Sequence, residues 1–492
     1  MADRSRTHTS VIPYGSTTRH IGSPILKHAS HPPVLTPLSG ARSGYSHPFP
    51  ARGVVDRDRV QSLIERGWRL NRTAVNPDTD RFVDMLTQEL DAEVIEVEAG
   101  AECLTWQIPR NWWVRKGQLR RTDGTVLADF ADNPLHLWTH SICFSGLITR
   151  EDLFAHHIQT DHNRPDEIIY HYRNGYRFGA REWGFSLPYR TVKDMHDESY
   201  VVEIDSDLDL NGSLKVVDAF LPGELPDTIF LMAHTCHPAL VADGIGCVAV
   251  AAELFHMLAA MPSRRYSYRF LFGPEYFGAA AYLARAPQAA IKTLRFGVFL
   301  DMLTNHEQLG FQHSMQGNSR MDHVTRNVLV SHLPTLLELP YRKLWGNDET
   351  FYNGPGFLIP TIGIGRGSFR EYHYDTDNLD NLSLYKAEES AWILSRILTV
   401  FETDYVPRLT FSGPLYLSRY GLYIDPTVDR EGARSLERML ALIDGERSCM
   451  DLATLLDADF FSVRAFCDSL ESKGLSKRRP RPPKQSDAGT LA

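Results

Sequence analysis

The feature that most constrains this chain is an alternation of short apolar runs and helix-like segments between residues 200 and 405. Four runs, Thr228–Ala233, Tyr268–Phe272, Phe296–Leu300 and Thr361–Ile364, are predominantly apolar. Such runs suit strands buried on both faces, as in parallel sheets. Between and after them lie stretches of helical pattern at 244–260, 278–285, 320–332 and 383–402. This alternation predicts an α/β fold with a mostly parallel, doubly wound sheet. In such a sheet the carboxyl ends of the parallel strands share one edge, and that edge is where ligands bind.

All four runs lead into residues that can bind a metal or move a proton. The first ends in Ala233-His234-Thr235-Cys236-His237-Pro238, and Asp243 then opens a helix at Ala242-Asp243-Gly244-Ile245-Gly246. The second leads into Gly273-Pro274-Glu275-Tyr276-Phe277-Gly278, the third into Asp301-Met302, and the fourth, through a short loop, into Glu371-Tyr372-His373-Tyr374-Asp375-Thr376-Asp377. Taken singly, each is a plausible turn or helix-start residue. Taken together, four strand ends deliver His, Asp, Glu, Asp and His to one edge, which is how α/β enzymes assemble sites. Imidazole and carboxylate suit Zn²⁺. A carboxylate beside an activated water suits a hydrolytic base. Asp375 or Asp377 is placed to orient the second ring nitrogen of His373.

The rest of the 492 residues divides by composition. Residues 1–55, rich in Pro, Ser, His and Gly, read as a flexible arm. Residues 56–92 and 171–408 form the catalytic domain, starting with a helical face at Val60, Leu63, Ile64 and Trp68 and a second helix from Pro77. Residues 93–170 carry short alternating runs and an Asp123-Gly124 turn signal, as expected of an inserted all-β domain. Residues 409–478 show three short helices and a wing, as in a winged helix-turn-helix, and 479–492 is a basic, disordered tail. The net charge of −9 argues against a nucleic-acid coat, and the candidate recognition stretch Phe460–Ser472 has one Arg, Arg464. Six scattered Cys without a C-x-x-C pair indicate a reducing compartment. There is no apolar stretch of membrane-spanning length, and the start Met1-Ala2-Asp3-Arg4 lacks a secretory leader pattern. A cytoplasmic location without membrane contact is expected, and a homo-oligomer is compatible with this composition.

At these motifs the chain resembles the superfamily of zinc aminopeptidases and glutaminyl cyclases. Ala233-His234 resembles its first-His motif, Asp243 its bridging Asp, Glu275 the base of its Glu pair, Leu300-Asp301-Met302 its later Asp, and Tyr372-His373 its last His. Two acids of that pattern are replaced. Tyr276 stands where the second Glu would be, and Cys236 where an Asp follows the first His by two. The resemblance with these departures implies a single Zn²⁺, with His237 as a recruited ligand; its spacing from His234 also resembles the H-x-x-E pair of carboxypeptidases. Over nearly its whole length the chain is similar to an uncharacterised bacterial aminopeptidase-like family with an inserted β domain and a C-terminal winged helix. Its members are often associated with polysaccharide or natural-product biosynthesis. The matching segments include Glu96-Val97-Glu98-Ala99-Gly100, Arg181-Glu182-Trp183-Gly184-Phe185 and Gly346-Asn347-Asp348-Glu349.

The expected mechanism follows. Zn²⁺ is held by His234, Asp243 and His373, with His237 or Asp301 completing the shell. Glu275 acts as base, Tyr276, Arg366 or Tyr372 stabilises the oxyanion, and Asp348 or Glu349 holds a substrate ammonium. The expected substrate is a small peptide or aminoacylated small molecule. Two alternatives stand beside this aminopeptidase reading. One is a hydrolase or acyl transferase acting on a non-peptide amide or ester of a biosynthetic intermediate. The other is a degenerate, DNA-associated binding protein.

Overall fold

Each of the four apolar runs becomes a strand of one eight-stranded sheet in the computed structural model, which describes residues 55–480 apart from Trp345 and Ser368. The strand order is Ala92–Glu98, Ser213–Leu221, Ser267–Gly273, Thr228–His234, Leu294–Asp301, Thr361–Arg366, Leu309–Gln312 and Leu337–Leu339. The four central strands are mutually parallel. Ala92–Glu98, Ser213–Leu221 and Leu309–Gln312 pair antiparallel with their inner neighbours. Leu337–Leu339 pairs parallel with Leu309–Gln312, so the sheet is mixed, with four parallel and three antiparallel pairings. Ala92–Glu98, at the edge, is half-exposed, and antiparallel strands tolerate one wet face where parallel ones do not.

The central strand Thr228–His234 is buried at every position. Its alternate residues feed two cores. Ile229, Leu231 and Ala233 pack with Val248 and Leu394 on one face, and Phe230 and Met232 with Ala280 and Tyr282 on the other. Helix Ile245–Ala259, buried along most of its length, lies in the first core with Arg57–Gly67, Pro77–Glu89 and Leu384–Thr403. Pro77 occupies the first turn of its helix, where its missing N–H costs nothing, and Asn76 caps it.

A second, four-stranded antiparallel sheet runs Val126–Asp129, Asn111–Arg121, Ser199–Asp209, Phe144–Thr149. It has its own core around Trp112, Leu119, Phe185 and Tyr200. The β segment expected over 93–170 thus loses its first strand to the large sheet and recruits a strand beyond residue 170. Pairing partners decide such limits, and composition does not report them.

Helices Arg430–Leu442, Cys449–Leu456 and Phe460–Ser472 follow, and strand Ser476–Pro480 pairs with Tyr405–Leu409. Residues 479 and 480 of the expected basic tail are therefore in a strand, with Arg479 bound to Glu446 and the preceding Arg478 to Glu471. Arg464 is buried near Asp468. The arm expected over 1–55, apart from Val55, and the tail beyond Pro480 lie outside the described residues. Among the described residues no helix is long and apolar enough to cross a membrane.

Candidate metal centre

Because the central strands are parallel, their carboxyl ends deliver the predicted residues to one edge. His234 and Asp301 are the last residues of their strands. Glu275 stands two residues past Gly273, and His373 follows the Thr361–Arg366 strand by a loop. Asp243 precedes Gly244, whose φ of +109° favours glycine. A side chain at Gly244 would also strike the Cys236 carbonyl and the His234 ring, at 2.8 and 3.0 Å. Left-handed backbone recurs here at non-glycine residues, namely His237, Tyr276, Met302 and His373. Such conformations persist where surrounding structure enforces them, and they cluster at functional sites.

Asp243 is the hub. His234 Nε2 lies 3.3 Å from its Oδ1, and His373 Nε2 lies 3.2 Å from its Oδ2. Asp301 Oδ1 is 3.7 Å from His234 Nε2, and His237 Nδ1 is 3.9 Å from Asp243 Oδ1. Among the described residues three groups able to hold a metal result: His234–Asp243–Asp301 and His237–Asp243–His373, joined through Asp243, and His234–Cys236–His237. Cys236 adds Sγ 3.7 Å from His234 Nδ1 and 3.3 Å from His237 Nδ1. Asp243 Oδ2, Asp301 Oδ1 and His373 Nε2 are buried and, although Asp243 Oδ2 and His373 Nε2 face each other at 3.2 Å, none completes a well-aligned hydrogen bond. Buried polar atoms are almost always paired, so a carboxylate oxygen of Asp243 left poorly bonded together with Asp301 Oδ1 and His373 Nε2 fits a cation. Nitrogen and carboxylate donors fit Zn²⁺.

Glu275 flanks this cluster, with Oε2 3.9 Å from His237 Nε2. Tyr176 Oη donates to Oε2 and Asn347 Nδ2 to Oε1, both at 2.5 Å. Burial pushes the Glu275 carboxyl above its ordinary range, against the pull of His234 and Tyr176. A raised carboxyl holds a proton more readily near neutral pH, as general acid–base work requires.

Several expected roles do not survive the geometry. Arg366 is fully buried and donates to the Leu303, Glu307 and Lys386 carbonyls, to Glu389 and to Ser390, so it stabilises no oxyanion. The Tyr276 hydroxyl is bound to the Gly346 carbonyl and its ring stacks on Trp106, which turns it away from the cluster. Asp348 accepts from Tyr276 N, and burial pushes its carboxyl up to about 8. Glu349 accepts from Asn347 N and Gln312 Nε2. Both are buried structural acceptors rather than sites for a substrate ammonium. Asp375 accepts from Ile168 N, and Asp377 from Ala242 N and Asp243 N, so neither orients His373. Tyr372 stacks on His373 at 3.9 Å and stays part-exposed at the mouth.

Three contributors escaped sequence reasoning. Arg72, wholly buried, donates to the carbonyls of Gly67, Thr235, Cys236, His237 and Leu240. Tyr176 and Asn347 hold Glu275. None sits in a motif at a strand end. Only a buried cation in an otherwise unremarkable helix–helix link, Asn71-Arg72-Thr73, could have signalled the first.

The family model described as "Domain of unknown function (DUF4910)" matches residues 61–404. The chain belongs to this family. The DUF4910 region contains every residue of the metal centre. A Clostridium acetobutylicum protein named for polysaccharide biosynthesis and an aminopeptidase-like domain is 24% identical over 433 residues, covering 84% of this chain and 94% of its own. A crystal structure from the same organism, described as a peptidase, superposes with a TM-score of 0.77 at 23% identity, covering 86% of this chain and 96% of that one. A zinc aminopeptidase from Bacillus subtilis superposes with a TM-score of 0.52 at 13% identity, covering 70% and 94%. The fold is that of the zinc aminopeptidases.

Proposed function

We propose that this chain is a zinc-dependent hydrolase that cleaves an amide bond, acting as an aminopeptidase on a small peptide or aminoacyl conjugate. The observation that carries the reading is the buried cluster of ligand atoms on His234, His237, Asp243, Asp301 and His373, with the Glu275 carboxylate beside His237. His234, Asp243 and Asp301 would hold one ion, and His237, Asp243 and His373 a second. His234 and His373 face opposite oxygens of Asp243, which supports two ions rather than the one expected from the missing second Glu. Zinc, when bound, supplies Lewis acidity toward water and carbonyl oxygen. Glu275 takes the proton of the attacking water and returns it to the leaving amine, while Tyr176 and Asn347 keep its carboxylate aimed. The name of the Clostridium relative supports a biosynthetic intermediate as the conjugate. We further read residues 409–478 as a winged helix that packs rather than binds nucleic acid, consistent with the burial of Arg464. We place the activity in the cytoplasm, in keeping with six unpaired thiols.

Metal analysis of the purified chain should find about two zinc ions, both lost in Asp243→Ala. Glu275→Gln should keep the metal yet lose hydrolysis of aminoacyl-anilides by roughly 100-fold or more. Turnover unchanged by that substitution would remove Glu275 as the base.

A further inference from the structure

Beside the metal centre lies a cavity of about 40 Å³. One wall is catalytic, with Cys236, His237 and Glu275. The facing wall comes from the β segment and the stretch after it, with His140, Tyr170, Tyr172 and Tyr176. His140 is buried, and its ring stacks on Trp112. The Arg110 carbonyl faces this ring, but neither ring nitrogen completes a hydrogen bond. A buried imidazole whose nitrogens have no partner beyond the Arg110 carbonyl is costly unless something else pairs them. Its backbone is left-handed, at φ 59°, like those of His237 and His373. Asn174, next to the lining Gly175, is also buried with both amide atoms unpartnered.

We propose that this cavity is a substrate subsite for a small uncharged group that both donates and accepts hydrogen bonds, a carboxamide or a hydroxyl, and that His140 selects it. The proposal rests on the hydrolase reading for which side of the substrate meets Glu275. Three observations set the ligand class. Burial pushes His140 down to about 4, so at neutral pH its ring is neutral and offers one donor and one acceptor. The lining includes no Lys or Arg and does include Glu275, so away from the metal a carboxylate would meet no counter-charge. A volume of about 40 Å³ admits a few non-hydrogen atoms, and the tyrosine rings pack against the alkyl part that carries them.

The test is calorimetric titration of zinc-loaded protein carrying Glu275→Gln, which stops turnover, with four ligands: L-asparagine amide, L-serine amide, L-leucine amide and L-aspartate α-amide. The asparagine and serine compounds should bind about tenfold tighter than the leucine and aspartate compounds, because the latter leave His140 unpaired or bury a charge. Adding His140→Phe should reduce that preference to below about twofold. Adding His140→Asn, which tolerates left-handed backbone and keeps a donor and an acceptor, should restore it. Thermal unfolding checks that each variant is folded. Equal binding of the four ligands, no binding of any, or a preference that survives His140→Phe would overturn the proposal. Failure of the hydrolase reading appears separately, as absence of anilide cleavage by the unsubstituted protein.

Discussion

Arg72 has no counterpart among the residues that carry chemistry, yet the loop bearing Cys236 and His237 hangs on it. Burial pushes its guanidinium down to about 10, against the pull of Cys236 and Asp243, and the carbonyls it meets give it partners that apolar surroundings would not. Five carbonyls would lose a donor if it were removed. Arg72→Met should therefore cost about 3–5 kcal/mol in urea unfolding. Arg72→Lys should recover only part, since an ammonium cannot reproduce the planar fork. A midpoint within error of the unsubstituted protein would show that the loop holds itself. Tyr176 carries a related lesson. Tyr276, the chain neighbour of Glu275, is expected from the sequence to stabilise an oxyanion, yet its hydroxyl is bound to the Gly346 carbonyl. The tyrosine hydroxyl that reaches Glu275 comes instead from 99 residues away.

At the scale of elements, His313 ties three pieces of the sheet edge together. It follows strand Leu309–Gln312, and its two ring nitrogens meet Asp322 of helix Arg320–His332 at 3.1 Å and Glu338 of strand Leu337–Leu339 at 2.8 Å. Burial alone would lower this imidazole, but the hydrogen bonds to Asp322 and Glu338 outweigh it and hold His313 up at about 9. A raised folded-state value means stability that is fully present below the unfolded value of about 6.5 and lost as pH rises through about 9. The unfolding free energy from denaturant titrations should accordingly decline across that window, and His313→Gln should flatten the decline. Parallel curves for the two proteins would refute the assignment. Capping was legible at this scale: Pro77 marked its helix start, and the four central strands lie within two residues of their predicted ends. Of the two edge strands, Ala92–Glu98 was legible as part of an alternating run but not in its sheet, and Leu337–Leu339 is too short to show a period.

Taken whole, the C-terminal helices are continuous with the core beneath the large sheet. Met439, Met450 and Phe460 belong to the same apolar cluster as Ile245 and Leu394. Asn327 bonds to Ala458 and Phe460, and Asp404 accepts from both Arg320 and Met450 N. A chain ending at residue 408 would expose that face. It should elute as aggregate in size-exclusion chromatography, and the full chain should unfold in one transition. A soluble truncated monomer with unchanged melting would mean the cluster divides into independent halves. Chelation of zinc from the full chain should lower its melting temperature, since a ligand bound only by the folded state stabilises that state.

The sequence by itself determined the sheet's central strands and the convergence of His234, Asp243, Glu275, Asp301 and His373 on one edge. Buried parallel strands are read from continuous apolar runs, and parallel strands can end on only one side. Only the tertiary structure decided how those residues divide around Asp243, which partners hold Glu275, and that His140 faces the site across a cavity. These depend on side-chain directions and on segments a hundred residues apart, which local pattern does not encode. They also explain why Arg366, Asp348 and Glu349, correct in type and close in sequence, are bound elsewhere: a buried charged group goes to the partners that compensate its lost hydration, wherever the fold places them.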